Sequence, residues 1–561
     1  MHAKFTMEKT LKRIPAFIAG IVVFIALAAG SYFWATGLID SIYAYRSPLK
    51  DTPPQPGPAL NSPATRRVVF VLIDALRFDT SLKPDVMPVL NKLRQQGATA
   101  LMHSLPPSFS EPGYSVLLTG AWPDLSDGPA VNLDYDLIPT WTQDNLFSAA
   151  NRAGLKTAVS GYYWFEKLIP QAAVTSSFYT PGEDQKADRA VVDAALPWLE
   201  GNQHQLTLIH IDQVDYAGHH EGGPRDPRWD QAAQRADGLL GEILAKLDLQ
   251  KDTILIVSDH GQIDAGGHGG PEPINLLEPF VLAGAGVRPG NYGDVQMVDV
   301  APTLAALLGT NLPASTQGQA RTEMLNLSNA TASVLPAAAA AQQSQLLQTY
   351  AKVTGESILI PQGPDVSAYQ AALKSADDAR QTSERLLRGA LALLILLPPL
   401  FLILRHRRKT VLWFIGGALI YAALFNLRYA VLDGKSYSLS SVTGATDLIM
   451  YAAVTSAIAL IIAWLVTSFG LGIFRQSPLP AARAAQGLVA MTIYLMLIPV
   501  LVHFAWNGVV VTWTLPEMWT AFIGLLSMIQ ILILSALGLV LMGVTAMIAG
   551  LTNRKRDLNN I

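Results

Sequence analysis

The chain has 561 residues, of which 50% are hydrophobic and 15% are charged, and it contains no cysteine. This composition excludes a disordered chain, a collagen-like repeat and a disulfide-stabilised scaffold. Residues 40–388 carry 25 Lys and Arg against 38 Asp and Glu, whereas residues 389–561 carry 11 against 4 and contain long apolar runs. The formal net charge of −3 therefore conceals an acidic soluble half and a membrane half, and no basic surface favours nucleic-acid binding.

Six apolar runs predict transmembrane helices, which need about 20 residues each. The first run, Ile14–Leu38, follows four basic residues, as the apolar part of a signal peptide also would. It is long for a signal peptide and ends without a clean small-x-small cleavage site, so we expect an uncleaved anchor. The other predicted spans are Leu387–Leu404, Val411–Leu427, Leu448–Phe469, Leu488–Phe504 and Ala521–Leu551.

Basic residues predict the orientation of these spans. One set of loops carries only Arg428 and Lys435, whereas the loops and tail on the opposite side carry Arg405, Arg407, Arg408, Lys409, Arg475, Arg483, Arg554, Lys555 and Arg556. By the positive-inside rule, we expect both termini to be cytoplasmic and residues 40–386 to face outside. The predicted organisation is a cytoplasmic segment 1–13, an anchor 14–38, a Pro-rich connector 39–65, a soluble domain 66–325, a helical return segment 326–386, a five-span domain 387–551 and a cytoplasmic tail 552–561.

The soluble domain has the pattern of an α/β fold. Short apolar, β-branched runs bounded by polar turns predict buried parallel strands at Val68–Ile73, Lys156–Ser160, Leu206–Ile211, Thr253–Ser258 and Pro279–Leu282. Helical patterns lie between them at Val86–Gln96, Thr142–Ala153, Ala187–Leu199 and Gln231–Leu247. This alternation predicts βαβ units and a mainly parallel sheet sandwiched by helices.

Asp and His residues follow several predicted strands, at the sheet edge where ligands bind in such folds. Taken singly, each has an ordinary explanation, because an Asp after a strand is often a helix N-cap and a lone His is often structural. Six such residues at strand ends together favour a zinc site, since zinc accepts carboxylate and imidazole ligands. These candidate ligands are Asp74, Asp215, His219, Asp259, His260 and His268.

Ser110 is the candidate nucleophile. The sequence predicts a helix from about Tyr114 to Thr119, with Pro112 in its first turn, which places Ser110 at a helix N-terminus. Backbone N–H groups and the helix dipole favour a phosphate oxyanion there. Alternatively, Ser110 only caps the helix, a role that Ser108 could equally take. A nucleophilic serine needs activation, and metal coordination can supply it without a histidine base.

The motifs together resemble the alkaline phosphatase superfamily. They are Val-Leu-Ile-Asp74-Ala-Leu-Arg, Pro-Pro-Ser-Phe-Ser110-Glu-Pro-Gly, Asp215-x-x-Gly-His219, Ser-Asp259-His260-Gly and Gly-Gly-His268-Gly. Within the superfamily they are similar to the type I phosphodiesterase/nucleotide pyrophosphatase branch, and most of all to glycosylphosphatidylinositol (GPI) ethanolamine phosphate transferases. The resemblance covers about residues 66–310.

Two positions separate this chain from other branches. Nucleotide pyrophosphatases carry Asn three residues after the nucleophile, where this chain has Gly113, as the transferases do. Sulfatases carry their modified residue in Cys/Ser-x-Pro-x-Arg, and the position of that Arg is Tyr114 here, which disfavours formylglycine chemistry.

The resemblance implies a metal set and a reaction. One zinc ion would be held by Asp74, Ser110, Asp259 and His260 and a second by Asp215, His219 and His268, with zinc favoured over Mn²⁺ or Mg²⁺. Ser110 would take the phosphoryl group, and a second hydroxyl would then release it. The resemblance also implies a phospholipid donor such as phosphatidylethanolamine and a glycolipid or glycan acceptor. With these substrates the protein would be a phosphoethanolamine transferase.

Two alternatives to a transferase remain. With water as acceptor, the same site would be a phosphodiesterase or phosphatase that hydrolyses lipid or nucleotide phosphodiesters. A transporter or structural membrane protein is disfavoured, because every metal position matches and few ionisable residues come near the spans. The five-span domain favours lipid substrates, and the lack of cysteine in an exported domain favours a bacterial plasma membrane over the lumenal face of an endoplasmic reticulum.

Overall fold

The computed structural model describes residues 14–405 and 408–559. The predicted cytoplasmic segment 1–13 lies outside the described residues, as do Arg407 and the last two residues of the predicted tail. The chain divides into two compact units. An α/β unit comprises Ile42–Gln381 and Thr512–Leu515, and a helical unit comprises the described parts of 1–41, 382–511 and 516–561.

One eight-stranded sheet organises the α/β unit. Its strands are β1 (Arg67–Ile73), β2 (Ala98–His103), β3 (Thr157–Tyr162), β4 (Ser176–Thr180), β5 (Leu206–Ile211), β6 (Asp252–Val257), β7 (Leu277–Gly284) and β8 (Gly290–Gln296). They lie in the order β4-β3-β5-β1-β6-β7-β2-β8, and only β7 runs against its neighbours β6 and β2. The predicted mainly parallel α/β sheet is confirmed.

The central strand shows why its sequence is apolar without interruption. Its residues point alternately into two cores, one containing Val68, Phe70 and Leu72 and the other containing Val69, Val71 and Ile73. Parallel strands that are buried on both faces lose the alternation of polar and apolar residues. β1 pairs with β5 on one side and β6 on the other, so that the three strands end at the same edge.

Helices cover both faces of the sheet, and long helices also form the helical unit. They are α1 (Ile14–Tyr43), α2 (Phe78–Ser81), α3 (Pro88–Arg94), α4 (Ser110–Thr119), α5 (Pro123–Ser126), α6 (Leu146–Arg152), α7 (Trp164–Leu168), α8 (Gln185–Gly201), α9 (Gln213–His220), α10 (Pro227–Leu244), α11 (Val300–Leu308), α12 (Asn329–Thr354), α13 (Val366–Leu404), α14 (Arg408–Asn426), α15 (Ala445–Leu471), α16 (Pro478–Asn507) and α17 (Met518–Asn559). Short 3₁₀ helices lie at Tyr135–Leu137, Gln171–Ala173, Gly223–Arg225, Pro273–Asn275, Met297–Asp299, Thr322–Met324, Leu439–Ser441 and Ile473–Arg475, and a π-helix at Leu427–Leu432.

The apolar sequence pattern does not predict three of the eight strands. β4 and β8 are the two edge strands, and their sequences are polar and partly exposed, as in Gly-Asn-Tyr-Gly-Asp-Val-Gln of β8. β2 lies next to β8 and alternates between buried and half-buried residues. A search for continuous apolar runs misses such strands because only strands covered on both faces carry them.

The prediction of six membrane spans is not reproduced in the described residues. Five helices there are long and apolar enough to cross a membrane: Phe17–Tyr43, Arg408–Leu432, Ala445–Leu471, Pro478–Asn507 and Met518–Arg556. The predicted span Leu387–Leu404 is not among them. It is not a separate helix but the C-terminal half of α13, whose N-terminal half is the polar return segment. The chain is therefore a multi-pass membrane protein.

Asp252, at the start of β6, provides a test of the fold. The buried carboxylate accepts hydrogen bonds from Arg66 at 2.8 and 2.9 Å and from Arg67 at 2.9 Å, and Arg67 is only 2% exposed. Burial alone would raise the pKa of Asp252, but the arginine hydrogen bonds outweigh burial and lower it. Asp252→Ala leaves a buried guanidinium uncompensated, so we expect a loss of about 3–5 kcal/mol in the free energy of unfolding at neutral pH.

Hydrogen exchange in β1 and β6 of the full-length protein measures this loss. Because the pKa is lowered in the folded state, the contribution of Asp252 is present at neutral pH and is lost as the pH falls through the lowered value. The control is Asp230→Ala, which removes the exposed ion pair with Lys83 and should cost less than about 1 kcal/mol. Equal losses in the two variants would contradict the argument.

Candidate active site

The predicted site residues lie together at the carboxyl edge of the sheet. Asp74 follows β1, Asp259 follows β6 after one intervening residue, and Asp215 is in the first turn of α9, which follows β5. Because β1, β5 and β6 are adjacent parallel strands, the segments after them converge although they are distant in sequence.

One group of three residues can offer ligand atoms to a common point. The Nε2 atoms of His219 and His268 are 2.9 Å apart. The Oδ2 atom of Asp215 is 3.4 Å from His219 Nε2, and its Oδ1 atom is 3.6 Å from His268 Nε2. All three ligand atoms lie within 4.8 Å of one another. The structure thus brings together the three residues that the resemblance assigns to one metal.

The other four predicted residues meet around His260. Its Nε2 atom is 3.5 Å from Asp74 Oδ1, 3.4 Å from Asp259 Oδ2 and 3.2 Å from Ser110 Oγ. Asp74, Asp215 and His260 also have ligand atoms within 4.8 Å of one another, which joins this group to the first.

The tautomers of two histidines suit metal binding. The Nδ1 atom of His260 is 3.0 Å from the carbonyl oxygen of Gly261, and that of His268 is 3.0 Å from the carbonyl oxygen of Ser108. A carbonyl only accepts, so each Nδ1 carries the proton and each Nε2 presents its lone pair to the cluster. Burial lowers the pKa of His268, which keeps its imidazole neutral. Such backbone partners commonly orient metal-ligating histidines.

Two carboxylate oxygens in the cluster fit a cation as partner. Asp74 Oδ1 and Asp259 Oδ2 are buried and receive no hydrogen bond among the described residues. Burial, together with the charge of Asp74, raises the pKa of Asp259 well above its ordinary value. Buried polar atoms are rarely left without a partner, and a divalent cation would satisfy both oxygens. The residues present therefore fit the divalent metal that this fold implies.

Ser110 is the first residue of α4, and the structure separates its role from that of Ser108. The residue that caps α4 is Phe109, with no side-chain cap, so neither serine is the N-cap. The Ser108 hydroxyl donates to the carbonyl of Gly270 at 2.8 Å and accepts the N–H of Gly269 at 2.9 Å. Ser108 thus fixes the loop that carries His268, whereas the Ser110 hydroxyl faces the cluster.

Two glycines allow the loops to approach each other. A Cβ atom at Gly113 would lie 2.7 Å from the Cβ of Asp259, which would push α4 away from the cluster. Gly269 has a φ of +99°, and a Cβ atom there would meet the ring of Phe109 at 2.2 Å. Glycine at position 113 therefore has a packing reason in this structure.

Sequence analysis missed the residues that hold Asp74. His210, within β5, donates from Nε2 to Asp74 Oδ2 at 2.9 Å, and the Tyr114 hydroxyl donates to the same oxygen. The N–H of Tyr162 donates to His210 Nδ1 at 3.4 Å, which fixes the tautomer. Two neutral donors thus hold one oxygen of Asp74 and leave the other free. An imidazole inside an apolar strand is the sequence signal that could have revealed His210.

The chain belongs to the type I phosphodiesterase/nucleotide pyrophosphatase family, whose model matches residues 68–126 and 130–355, about half of the chain. The matched residues lie in the α/β unit, as the motifs predicted. The chain is similar to the catalytic subunit of GPI ethanolamine phosphate transferase 3 from Mus musculus, with 27% identity over 51% of this chain and 29% of the relative. The catalytic subunit of the Homo sapiens transferase 2 is 28% identical over 47% of this chain and 29% of the relative.

Among solved structures, human ectonucleotide pyrophosphatase/phosphodiesterase 5 matches with 14% identity and a TM-score of 0.39, covering 46% of this chain and 100% of that chain. The part of this chain that matches the two transferases covers less than a third of the length of each. The resemblance to the type I phosphodiesterase/nucleotide pyrophosphatase branch and to GPI ethanolamine phosphate transferases is confirmed.

His210→Ala tests whether the hydrogen bond from His210 positions Asp74 for metal binding. The substitution removes one of the two donors to Asp74 Oδ2, and loss of such a partner typically weakens metal binding about 10–100-fold. Competition with a chromophoric chelator measures this affinity directly. His220→Ala is the matched control, because His220 is exposed beside the site and lies in none of the candidate ligand groups. Unchanged metal affinity in His210→Ala would contradict the positioning role.

Proposed function

We propose that the protein is a membrane-bound, metal-dependent phosphotransferase. It moves phosphoethanolamine, or a similar phospho-head group, from a phospholipid to a glycolipid or glycan hydroxyl through a phospho-Ser110 intermediate. The observation that carries this proposal is the position of the Ser110 hydroxyl, 3.2 Å from His260 within a cluster of Asp and His side chains at the sheet edge. The similarity to GPI ethanolamine phosphate transferases supports the head group.

We assign the residues of the cluster to two metal ions. Asp74, Ser110, Asp259 and His260 would hold one zinc ion, and Asp215, His219 and His268 the other. When bound, divalent metal supplies charge neutralisation at the phosphoryl oxygens and lowers the pKa of the serine hydroxyl. The N-terminal end of α4 adds a favourable dipole for the same negative charge.

Two displacements at phosphorus complete the reaction. The Ser110 oxygen forms a bond to phosphorus while the bond to the lipid alcohol breaks, and the proton lost from the serine hydroxyl passes to the leaving alcohol. The acceptor hydroxyl then forms its bond to phosphorus, the bond to Ser110 Oγ breaks, and the acceptor's proton is returned to the serine oxygen. The two steps are chemically equivalent, so one site can perform both.

Hydrolysis is the second candidate function, because the family model that matches is that of phosphodiesterases and pyrophosphatases. In that case water replaces the acceptor in the second displacement. Gly113 favours transfer, since nucleotide pyrophosphatases carry Asn at this position. We further propose that the catalytic unit is extracytoplasmic and that the membrane is a bacterial plasma membrane.

Product analysis separates the two functions. Purified protein is incubated with phosphatidylethanolamine and a panel of glycolipid and glycan acceptors, and the products are identified by mass spectrometry. Transfer gives diacylglycerol together with an acceptor that bears phosphoethanolamine. Free phosphoethanolamine without a modified acceptor would instead establish a hydrolase, and intact lipid under all conditions would contradict both functions.

Ser110→Ala should lower turnover at least about 10³-fold, because the attacking oxygen is deleted. Little stability should be lost, since the hydroxyl faces the cluster rather than capping the helix. Ser108→Ala is the matched control, and it removes two hydrogen bonds to the glycine loop. We expect it to cost about 1 kcal/mol of stability and to leave most of the turnover. A reversed order of activities would show that the nucleophile is misassigned.

Metal analysis tests the cofactor. We expect two zinc ions per chain by elemental analysis of the purified protein. Chelation should abolish turnover while circular dichroism shows that the helices stay folded, because the candidate ligands all lie in the α/β unit. Turnover should return on addition of zinc. Active protein that contains no transition metal would contradict the prediction.

A further inference from the structure

A cavity of about 500 Å³ in the α/β unit has no role in the two displacements. It lies at the same edge of the sheet as the candidate metal cluster, because Gln296 ends β8 and Leu105 lies two residues beyond β2, and both strands run parallel to β1. Leu105 and Trp122 also line a smaller cavity whose walls include Gly113 and Asp259. The cavity therefore adjoins the first turn of α4 and the loop that holds the cluster.

The wall of the cavity is rich in aromatic rings and amides. Its aromatic residues are Trp122, Tyr350 and Trp513, and its amides are Gln296, Gln317, Gln319 and Gln370. Aromatic faces accept the apolar C–H faces of sugar rings, and an amide can both donate to and accept from a hydroxyl. A volume of about 500 Å³ is within the usual range for a ligand site.

Hydrogen bonds within the protein hold part of the cavity wall in place. The N–H of Trp122 donates to Gln317 Oε1 at 2.7 Å, and Gln370 Nε2 donates to the carbonyl of Gln317 at 2.6 Å. The side chain of Gln319 makes no hydrogen bond within the described part of the chain. Gln319 is therefore available to a ligand in a cavity whose other amides are held in place.

The cations on the wall already have carboxylate partners. Arg321 lies 3.5 Å from Asp299, Arg380 lies 3.2 Å from Asp377, and Lys374 lies 3.0 Å from Asp378, the first of these pairs lying wholly on the wall. An anionic ligand such as phosphate would therefore compete with these carboxylates for the cations. The amides and aromatic rings of the wall favour a ligand that is rich in hydroxyl groups.

Asp124 adds an acceptor for such hydroxyls. Its Oδ1 atom accepts the N–H of Leu515 at 2.8 Å, whereas its Oδ2 atom makes no hydrogen bond among the described residues. Burial raises the pKa of Asp124 to about 6, so its carboxyl group is still mostly ionised at neutral pH and is a strong hydrogen-bond acceptor. A carboxyl oxygen fixed on one side and open on the other suits a ring hydroxyl.

We propose that this cavity binds the sugar portion of the acceptor, with a ring stacked on a cavity tryptophan and hydroxyls bonded to Gln319 and Asp124. The inference rests on the proposed function, because it assigns the acceptor a place next to the first turn of α4. It names a neutral carbohydrate as the ligand, recognised by residues that are far apart in the chain.

Direct binding to the full-length protein in nanodiscs tests the cavity without any need for turnover. The probes are methyl glycosides of mannose, glucose, galactose and N-acetylglucosamine and their disaccharides, with ethanolamine and inorganic phosphate as charged probes. Saturation-transfer NMR and calorimetry report binding. We expect at least one neutral glycoside to bind, and Trp513→Ala and Gln319→Leu each to weaken that binding at least tenfold.

Matched variants separate recognition from misfolding. Trp519→Ala and Gln348→Leu remove an exposed tryptophan and an exposed glutamine that do not line the cavity, and both should bind the glycoside as the wild type does. Asp124→Asn keeps an acceptor for the Leu515 N–H and should also weaken binding. Metal content and the thermal unfolding midpoint should match the wild type in every variant used.

The outcomes distinguish this inference from the proposed function. Absence of glycoside binding, preference for ethanolamine or phosphate, or equal weakening in the control variants would overturn the carbohydrate assignment. Glycoside binding that depends on Trp513 and Gln319, in a protein that only releases free phosphoethanolamine, would contradict transfer but uphold the cavity. Transfer to a glycan with unchanged acceptor KM in both cavity variants would uphold the function and overturn the cavity.

Discussion

The site depends on the parallel pairing of β1 with β5 on one side and β6 on the other. In this register Ile73 lies opposite Ile211, and Leu72 lies opposite Val257, so the three strands finish level with one another. A slip of one residue would turn every side chain of β1 to the other face, so that Val69, Val71 and Ile73 would replace the differently shaped Val68, Phe70 and Leu72 and both cores would have to repack. The hydrophobic cores thus fix where the segments that carry Asp74, Asp215 and Asp259 begin.

Packing at this edge also gathers charge that the protein alone does not neutralise. His210 and Tyr114 hold one oxygen of Asp74 as neutral donors, and the other oxygen is buried and receives no hydrogen bond from the residues that the structure describes. Asp259 is buried beside it, and the charge of Asp74 adds to burial in raising its pKa. Such an arrangement costs folding free energy, since buried carboxylates need compensation. A bound divalent cation would offset that cost, which couples the stability of this edge to metal.

The loops of the site are held by close approaches that leave no room for larger residues. Gly113 lets the first turn of α4 pack on Asp259, and Gly269 lets the His268 loop pack on Phe109. Ser108 joins these two loops through its hydroxyl. The nucleophile helix and the histidine loop therefore form one connected layer above the sheet, and the Ser110 hydroxyl is fixed relative to His260.

The sequence by itself determined the parallel α/β core, the polar residues that follow its central strands, the family, and the presence of several apolar helices. These features are local, because a doubly buried strand needs a continuous apolar run and a motif keeps its order along the chain. Only the tertiary structure decided the sheet order with its antiparallel β7, the polar edge strands, the continuity of Leu387–Leu404 with α13, and the contacts of His210 with Asp74. The cavity walls likewise come from distant segments such as Trp122, Tyr350 and Trp513. Contacts between segments far apart in the chain leave no local pattern, since each partner alone is an ordinary polar or aromatic residue.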